Sequence, residues 1–564
     1  MSVENPSRTK QNAQADNVQL KLGEILIEKG IINEIQLNYG LEIQKTNKEK
    51  IGSILVRNGL LSEYDLMIAL SRQLGLRYVN LEQIKPDVEF LKRFPQKKCY
   101  TQRILPLQKH RNNLLVATSE LPDAKLEQEI LKACGIRPVF CLAEETRLIS
   151  AVSKAYSSFM FSTRQLLDQE VKRLQADRDN VQDVESFFTY LLQLALEHRA
   201  TDVHISSLPL NIDINFRVDG LITHILALPP EMQRIVSAIK LKADMDISEQ
   251  RLPQDGRFSI TILAQEYDIR VSCIVTSYGE DLVLRILPKV LANFTLNSLG
   301  FFNKDVNRLF KLFKEPAGLI LISGPTGSGK STTMNAGLTS LDLLEKNVIT
   351  VEDPIEYLVP LAKQTQVNSD IGYDFSQAVY NFLRHDPDII LVGEMRDPET
   401  ASAAITASLT GHLVLSTLHS DTEIGTITRL QSLHVENLLL AEGLLAIVTQ
   451  RLVRKICPKC QTKYTPTPED IDYLGYRANY LQKGGGCDFC NNTGYYGRTV
   501  IYGLLEVDTE LTRLLRENAP LHEIERVAKD KRIQNMFETA RYKVLQGITT
   551  IMELQRVLGS HLRD

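Results

Sequence analysis

The sequence has no hydrophobic run long enough to cross a bilayer. Its longest apolar stretches, such as Leu438–Val448, are short or interrupted by a charge, here Glu442, whereas a membrane-spanning helix needs roughly 20 apolar residues. Residues 1–18 are polar and lack the apolar core of a secretory signal. We therefore expect a cytoplasmic protein that is not integral to a membrane.

Positive charge is not in excess either. The 564 residues carry 65 Lys and Arg against 69 Asp and Glu, a formal net charge of -4. The chain thus has no overall positive field of the kind that holds a polyanion, and we expect no nucleic acid partner. Tryptophan is absent, which excludes nothing.

Cysteine is scarce. Eight cysteines are too few for a disulfide framework in a chain of this length. Four of them form two Cys-x-x-Cys pairs, Cys457 with Cys460 and Cys487 with Cys490. In a reducing compartment this spacing predicts a zinc site. The site would be structural, because four thiolates leave no coordination position open for a substrate or water. A redox pair or incidental cysteines is the alternative.

An internal repeat follows the polar N-terminal residues. The segment Lys21–Leu26, followed by Gly30, recurs as Lys50–Leu55 followed by Gly59. Apolar spacings of three and four predict two similar helical hairpins, with each glycine ending the first helix. We interpret the repeat as an interaction module, with a ligand-binding module as the alternative.

Composition and periodicity divide the rest of the chain. Residues from about 162 to 183 are charged and Gln-rich without a continuous apolar face, as in an exposed helix or a linker. Beyond them, short strands with turn residues predict an α+β domain, and past Asn297 apolar strands alternate with helices, which predicts a mainly parallel sheet. The predicted segments are a disordered tail 1–18, an N-terminal module 19–150, a linker 151–183, an α+β domain 184–296 and an α/β domain 297–564 that includes the cysteine pairs at 457–490.

A glycine-rich loop lies directly after the apolar strand Gly318–Ser323 and leads into a helix. It matches G-x-x-x-x-G-K-[ST], whose backbone N–H groups turn toward phosphate oxygens. In this motif Lys330 would reach the β- and γ-phosphates and Ser331 would ligate Mg2+. The sequence therefore predicts ATP or a related nucleotide. The predicted nucleotide-binding residues are Gly324, Pro325, Thr326, Gly327, Ser328, Gly329, Lys330, Ser331 and Thr332.

Three polar clusters follow at predicted strand ends, where a parallel sheet presents its catalytic groups. Glu352 and Glu356 could hold magnesium through water and polarise the attacking water, with a solvated acidic turn as the alternative. Glu394 follows an apolar strand and is the expected general base, with a helix-capping role as the alternative. His419 ends the fourth strand and is the expected γ-phosphate sensor, and His412 at its start is a weaker candidate because a lone histidine often has a structural hydrogen bond.

With these four motifs in this order, the sequence resembles the secretion ATPase superfamily, the motors of type II secretion and of type IV pilus assembly. The resemblance covers about residue 185 to the C-terminus. It is carried by the phosphate loop, the acidic segment Glu352–Glu356, the stretch Gly393–Asp397, the histidine segment through His419, and the upstream segments Thr201–Ile205, Phe216–Gly220 and Arg251–Arg257.

The resemblance implies a multidomain α/β chain. A C-terminal RecA-like P-loop ATPase domain with a zinc-binding subdomain would follow a PAS-like α+β domain and a helical N-terminal module. In such motors the PAS-like domain supplies arginines to the nucleotide, and Arg270 and Arg285 stand in matching strand contexts; two solvent-exposed arginines are the alternative. The resemblance also implies a homo-hexamer in which domain closure and reopening form the power stroke.

The N-terminal repeat looks like the module with which such ATPases dock onto the cytoplasmic domain of a membrane-anchored secretion or pilus protein. The zinc subdomain of relatives lies near the surface that meets an inner-membrane platform protein. Some relatives bind cyclic di-GMP through a similar repeat, but Lys21 and Lys50 stand where arginine is expected. Lysine cannot reproduce the planar guanidinium contact to a guanine, so docking is favoured and the dinucleotide is the alternative.

The resemblance predicts a motor ATPase that uses ATP and Mg2+, carries structural Zn2+ and drives pseudopilus assembly in type II protein secretion. It would be peripheral at the inner membrane through protein partners. Val351–Tyr357, Ala407–His412 and Ile424–Arg429 look closer to type II secretion motors than to pilus motors. The alternatives are a type IV pilus assembly ATPase and a nucleotide-binding scaffold without turnover.

Overall fold

The computed structural model describes residues 21–81, 84–157, 162–176, 181–262, 265–288, 294–531 and 534–559. The disordered tail predicted for residues 1–18 lies outside this range, as does part of the predicted linker. The chain forms two compact units, residues 1–156 and 157–564. None of the helices in the described part of the chain is both long and apolar enough to cross a membrane.

The first unit combines helices with a small sheet. Its strands are ordered β1-β4-β3-β2, with only the β2–β3 pair antiparallel. The helices are α1 (Leu22–Glu28), α2 (Glu34–Asn47), α3 (Ile51–Arg57), α4 (Glu63–Leu74), α5 (Val88–Arg93), α6 (Gln96–Thr101), α7 (Ala124–Cys134) and α8 (Glu145–Ser157), and the strands are β1 (Arg77–Tyr78), β2 (Ile104–His110), β3 (Asn113–Thr118) and β4 (Arg137–Leu142).

The sequence repeat forms two helical hairpins, α1–α2 and α3–α4, as predicted. Gly30 and Gly59 follow the first helix of each hairpin with φ of 65° and 69°, a left-handed conformation that glycine adopts without strain. A Cβ on Gly52, the second residue of α3, would lie 2.6 Å from Leu66 of α4. The repeated glycines inside the helices therefore permit close helix packing.

The second unit begins with a six-stranded antiparallel sheet, ordered β7-β6-β5-β10-β9-β8. Leu167 and Leu174 of α9 are buried in the same core as one face of this sheet. The helices are α9 (Thr163–Ala176), α10 (Val181–Glu197) and α11 (Arg234–Lys242), a 3-10 helix spans Pro230–Gln233, and the strands are β5 (Ala200–Ser207), β6 (Ile212–Val218), β7 (Leu221–Leu228), β8 (Gln254–Ile262), β9 (Gln265–Thr276) and β10 (Gly279–Pro288).

A seven-stranded sheet follows, ordered β13-β12-β14-β15-β11-β16-β19. All its neighbours are parallel except β16 with β19, so the predicted mainly parallel sheet is confirmed. Its strands are β11 (Gly318–Ser323), β12 (Val348–Glu352), β13 (Lys363–Gln366), β14 (Ile389–Val392), β15 (Leu413–Leu418), β16 (Leu444–Ile456) and β19 (Tyr495–Glu506), while β17 (Gln461–Tyr464) and β18 (Leu481–Gly484) form a separate two-stranded antiparallel sheet.

The helices around this sheet bury its apolar strands on both faces. They are α12 (Leu296–Leu299), α13 (Asn303–Leu312), α14 (Lys330–Leu338), α15 (Phe375–Phe382), α16 (Pro398–Leu409), α17 (Glu423–Ser432), α18 (Asn437–Gly443), α19 (Pro468–Leu474), α20 (Thr509–Arg516), α21 (Leu521–Lys531), α22 (Met536–Leu545) and α23 (Ile551–Leu558), with 3-10 helices at Ser369–Ile371 and Asp488–Cys490.

A buried carboxylate ties the last helix to β16. Glu553 is 0% exposed and accepts hydrogen bonds from Arg454 Nε and Arg556 Nε, both at 2.9 Å. Burial alone would raise the pKa of Glu553, but these arginines outweigh that effect and lower it. The ionised carboxylate is therefore part of the folded state.

We predict that Glu553→Gln lowers the free energy of unfolding at neutral pH by about 3 kcal/mol, because it leaves two arginines without their counter-charge. A carboxyl with a lowered folded-state pKa stabilises the fold above its unfolded-state pKa, and this contribution is lost as the pH falls through the folded-state pKa. The difference from wild type should therefore shrink in acid. Thermal unfolding across a pH series measures it, with the exposed Glu538→Gln as control, and equal stability at neutral pH would contradict the prediction.

Candidate nucleotide site and cysteine cluster

The phosphate loop connects the end of β11 to the start of α14. Gly324, Gly327 and Gly329 have φ of 151°, 77° and 87°, values that other residues rarely adopt. A Cβ on Gly324 would also lie 2.3 Å from the backbone oxygen of Gln450. The loop backbone is thus free to turn its N–H groups toward an anion at the N-terminus of α14.

Lys330 begins α14, followed by Ser331 and Thr332 in its first turn. Lys330 Nζ donates to the backbone oxygens of Gly324 at 2.9 Å and Pro325 at 3.3 Å. Burial lowers the pKa of Lys330, while the charges of Glu394 and Glu356 oppose the shift. Two carboxylates from separate sequence clusters therefore act on the lysine of the phosphate loop.

The predicted nucleotide-binding residues also include a buried hydroxyl. Ser328 is 3% exposed, and its Oγ has no hydrogen-bond partner among the described residues. Backbone N–H groups, a lysine ammonium and an unpartnered hydroxyl form a donor set that suits phosphate oxygens. The residues present fit a nucleotide at this loop.

Glu352, the last residue of β12, is 6% exposed. Its Oε1 accepts hydrogen bonds from Thr350 Oγ1 at 2.8 Å and from Gln364 Nε2 at 2.9 Å. Burial raises the pKa of Glu352, although these two hydrogen bonds act in the opposite direction and lower it. Its carboxylate thus links β12 to β13, whereas Glu356 lies on the exposed turn beyond the strand.

Glu394 follows β14 by two residues and lies between two basic side chains. It forms an ion pair with Arg396, and its Oε2 lies 3.4 Å from His419 Nε2. The hydrogen bond to Glu394 raises the pKa of Arg396. The structure therefore brings together the expected general base and the expected γ-phosphate sensor, which are 25 residues apart in the sequence.

His412, the weaker sensor candidate, is not at this site. It precedes β15, and its backbone oxygen accepts from the N–H of Gly318, the first residue of β11. Its ring Nδ1 lies 3.0 Å from the backbone oxygen of Ala407. The phosphate loop follows the other end of β11, about 20 Å away by strand rise, so the structure overturns the sensor hypothesis for His412 and gives it a structural hydrogen bond.

Arg270 and Arg285 are directly opposite each other on β9 and β10 of the six-stranded sheet. Arg285 Nε donates to the buried Asp202 at 2.9 Å. Burial lowers the pKa of Arg270, and the charge of Glu356 is the strongest influence against that shift. Glu356 belongs to the seven-stranded region, so Arg270 lies within electrostatic reach of the acidic turn that also acts on Lys330.

A third arginine in the same row was not singled out by the sequence. Arg257 of β8 is directly opposite Arg270, so Arg257, Arg270 and Arg285 lie side by side across three strands. The sequence shows Arg257 only as the last residue of the segment Arg251–Arg257. The pairing register, which a single sequence does not reveal, is what aligns it with the other two.

The four predicted cysteine ligands lie together. All four sulfurs lie within 4.8 Å of one another, and the shorter separations are 3.8 Å for Cys457 to Cys487, 3.8 Å for Cys460 to Cys490 and 3.7 Å for Cys487 to Cys490. A tetrahedral zinc with Zn–S bonds of about 2.3 Å separates its sulfurs by about 3.8 Å. The geometry of the cluster therefore fits Zn2+.

Backbone N–H groups support the thiolate form of this cluster. The N–H groups of Cys487 and Gly494 each donate to Cys490 Sγ at 3.3 Å. Such donors stabilise the negative charge of metal-bound sulfur. Asn491, the residue after Cys490, contacts the six-stranded domain, because its Nδ2 lies 3.2 Å from His198 Nδ1.

Comparisons with known proteins match two separate segments of the chain to two families. The family described as "Type II/IV secretion system protein" matches residues 177–556, more than half of the chain. The family described as "MshEN domain" matches residues 74–160. The second match begins at Leu74, the last residue of the second helical hairpin.

Curated relatives are similar over most of the chain. "Type II secretion system protein E" of Dickeya dadantii is 43% identical over 65% of this chain and 74% of the relative. "Type II secretion system ATPase E" of Vibrio cholerae is 39% identical over 74% of this chain and 83% of the relative. "Type IV pilus assembly ATPase PilB" of Myxococcus xanthus is 31% identical over 96% of this chain and 99% of the relative.

The X-ray structure of the ATPase DotB of Legionella pneumophila matches with a TM-score of 0.50 and 21% identity, over 66% of this chain and 95% of that one. This similarity shows the fold alone. The family and the curated relatives confirm that the motifs identified a secretion-superfamily ATPase. The chain belongs to the Type II/IV secretion system protein family.

Proposed function

We propose that this chain is a motor ATPase that couples ATP hydrolysis to assembly of the pseudopilus in type II protein secretion. The observation that carries the proposal is that Glu394, paired with His419, and Glu356 both act on Lys330 of the phosphate loop, while Glu356 also acts on Arg270 of the six-stranded sheet. These groups come from two sheets of the second unit, so hydrolysis can be coupled to movement between them.

Phosphoryl transfer to water needs charge neutralisation and an oriented nucleophile. Lys330 would contact the β- and γ-phosphates, and Ser331 would ligate Mg2+, which would neutralise phosphate charge when bound. Glu394 would accept the proton of the attacking water or orient it. His419 would turn from Glu394 to the γ-phosphate when ATP is present, and so report its presence.

The two carboxylates of the acidic segment would have different roles. Glu352 is buried and hydrogen-bonded, so it would position the turn that carries Glu356. Glu356 is exposed and acts on Arg270 electrostatically. Arg285 would release Asp202, and Arg285 and Arg270 would then contact the γ-phosphate, which would close the six-stranded domain onto the nucleotide.

We assign the six-stranded domain, residues 184–296, to the PAS-like domain and residues 297–564 to the RecA-like ATPase domain. Two observations support this assignment. The first domain contains the antiparallel six-stranded sheet, and the second contains the mainly parallel seven-stranded sheet, whose strand β11 leads into the phosphate loop. Closure of the domains around a homo-hexameric ring would form the power stroke.

The protein would remain cytoplasmic and would act at the inner membrane. A platform protein of that membrane would bind beside the cysteine subdomain.

The module at 19–150 is proposed to dock onto the cytoplasmic domain of a membrane-anchored partner. Lys21 and Lys50 both lie exposed at the N-terminal caps of α1 and α3, so the repeated positions are equivalent in the structure. Lysine lacks the planar guanidinium that would stack on a guanine. We therefore favour protein docking over cyclic di-GMP binding.

A second candidate function is type IV pilus assembly. The pilus relative of Myxococcus xanthus aligns over 96% of this chain, whereas the type II secretion relatives have higher identity over a smaller share of it. Both functions use the same ATPase chemistry. The distinction therefore has to come from the filament that the motor assembles.

Deletion of the gene in its native host and complementation with wild type or Lys330→Ala would separate these two functions. We expect wild type to restore protein secretion and Lys330→Ala to fail, with surface pili intact in both. Loss of pili with secretion intact would instead assign the chain to pilus assembly.

We predict that Lys330→Ala loses ATP binding and turnover, because it removes the cation that contacts the phosphates. Glu394→Gln should retain ATP binding and lose turnover by about 10²- to 10⁴-fold, the range for removal of a general base. Arg270→Ala should lower kcat more than it weakens binding, since its contact forms on closure. Steady-state kinetics and nucleotide binding measure these effects.

Arg513→Ala is the matched control for the charge change, because Arg513 forms a surface pair with Glu517. It should leave turnover unchanged. Tight ATP binding without turnover in the wild type would favour the scaffold alternative and contradict the motor.

The cysteine cluster is predicted to hold about one Zn2+ per chain as a structural site. Cys460→Ser should lose the metal, because it removes one of four ligands. Cys134→Ala, which changes a buried cysteine of the first unit, should retain it. Metal analysis of purified protein makes the measurement, and folded wild type without zinc would contradict the assignment.

A further inference from the structure

Gln450 lies in the middle of β16, and its side chain contacts the phosphate loop. The residue is 0% exposed. Its Nε2 donates to the backbone oxygen of Ser328 at 2.9 Å, and its Oε1 accepts from Thr333 Oγ1 at 3.0 Å. The amide therefore bridges the loop and the first turns of α14.

The hydrogen bond to Ser328 orients the peptide group that follows it. A trans peptide is planar, and its C=O and N–H point in opposite directions. Because Gln450 holds the Ser328 oxygen on the side of β16, the N–H of Gly329 is held pointing away from β16. Gly329 lies immediately before Lys330, where backbone N–H groups of such a loop face phosphate.

Gln450 is itself held firmly. Its strand pairs in parallel with β11, with Thr449 opposite Ser323, and in antiparallel fashion with β19, where Gln450 is opposite Tyr502. The backbone oxygen of Gln450 also leaves no room for a side chain on Gly324. The amide is therefore presented from the interior of the sheet and not from a loop.

We infer that Gln450 is a positioning residue for ATP: it holds the Ser328–Gly329 peptide so that the loop receives phosphate in a preformed geometry. The inference rests on the proposed nucleotide function of the loop. Gln450 itself would not contact the nucleotide. It would act through the orientation of one backbone N–H, which lowers the cost of ordering the loop on binding.

The test uses the full chain with two variants of Gln450. Gln450→Met keeps an unbranched side chain of similar length but removes both hydrogen bonds. Gln450→Glu keeps the acceptor for Thr333 and replaces the donor with an oxygen that faces the Ser328 oxygen. Gln534→Met is the control, because Gln534 is also buried and its Oε1 has no hydrogen-bond partner among the described residues.

ADP affinity, the ADP-induced rise in melting temperature and the KM and kcat for ATP are measured for each protein. We expect Gln450→Met to weaken ADP binding and raise KM by about 10-fold or more, because Ser328 loses its buried donor. Gln534→Met should bind ADP as wild type does. In Gln450→Glu, ADP affinity relative to wild type should recover as the pH falls, since only the protonated carboxyl can donate to Ser328.

Lower melting temperatures in Gln450→Met and Gln534→Met with unchanged ADP affinity would overturn the inference, because Gln450 would then have only a structural role. A pH-independent defect in Gln450→Glu would also contradict it. Should wild type itself neither bind nor hydrolyse nucleotide, the proposed function fails. If wild type binds ADP and Gln450→Met binds it equally well, the inference about Gln450 is refuted while the proposed function stands.

Discussion

Parallel pairing of the central strands is the constraint on which the proposed site depends. Val392 of β14 is opposite Ser416 of β15, and Leu321 of β11 is opposite Ser416 as well. Because parallel strands place their carboxyl ends at the same edge of a sheet, the segments that follow them meet there. Lys330, Glu394 and His419 therefore become neighbours, although each follows a different strand.

The strand β16 connects this edge to the cysteine cluster. Gln450 contacts the phosphate loop, Arg454 of the same strand pairs with the buried Glu553, and Cys457 follows the end of the strand. A single 13-residue strand thus spans the nucleotide site, the C-terminal helix and the metal ligands. The strand pairs with β11 up to Thr449 and with β19 from Ala446 to Ile456, so these three regions are held by one strand of the sheet.

Local sequence patterns predicted the elements whose signal is strongest. The strands β11, β12, β14 and β15 were predicted because strands that are buried on both faces have continuous apolar runs in the sequence. The glycine loop was predicted because the spacing of its residues is specific. Strands β7, β16 and β19 were not predicted. Strand β7 is largely exposed, and β16 and β19 combine apolar with charged or polar residues without the regular alternation of a half-buried strand.

The sequence by itself determined the family, the phosphate loop, the acidic and histidine segments and the four cysteines, because each of these is a short motif with fixed spacing. Only the tertiary structure decided which groups meet. It separated His412 from His419 by the length of a strand, aligned Arg257 with Arg270 through the register of the antiparallel sheet, and brought Gln450 to Ser328 across 122 residues. Such contacts depend on strand order and register, which are set by packing of the whole domain and leave no local pattern in the chain.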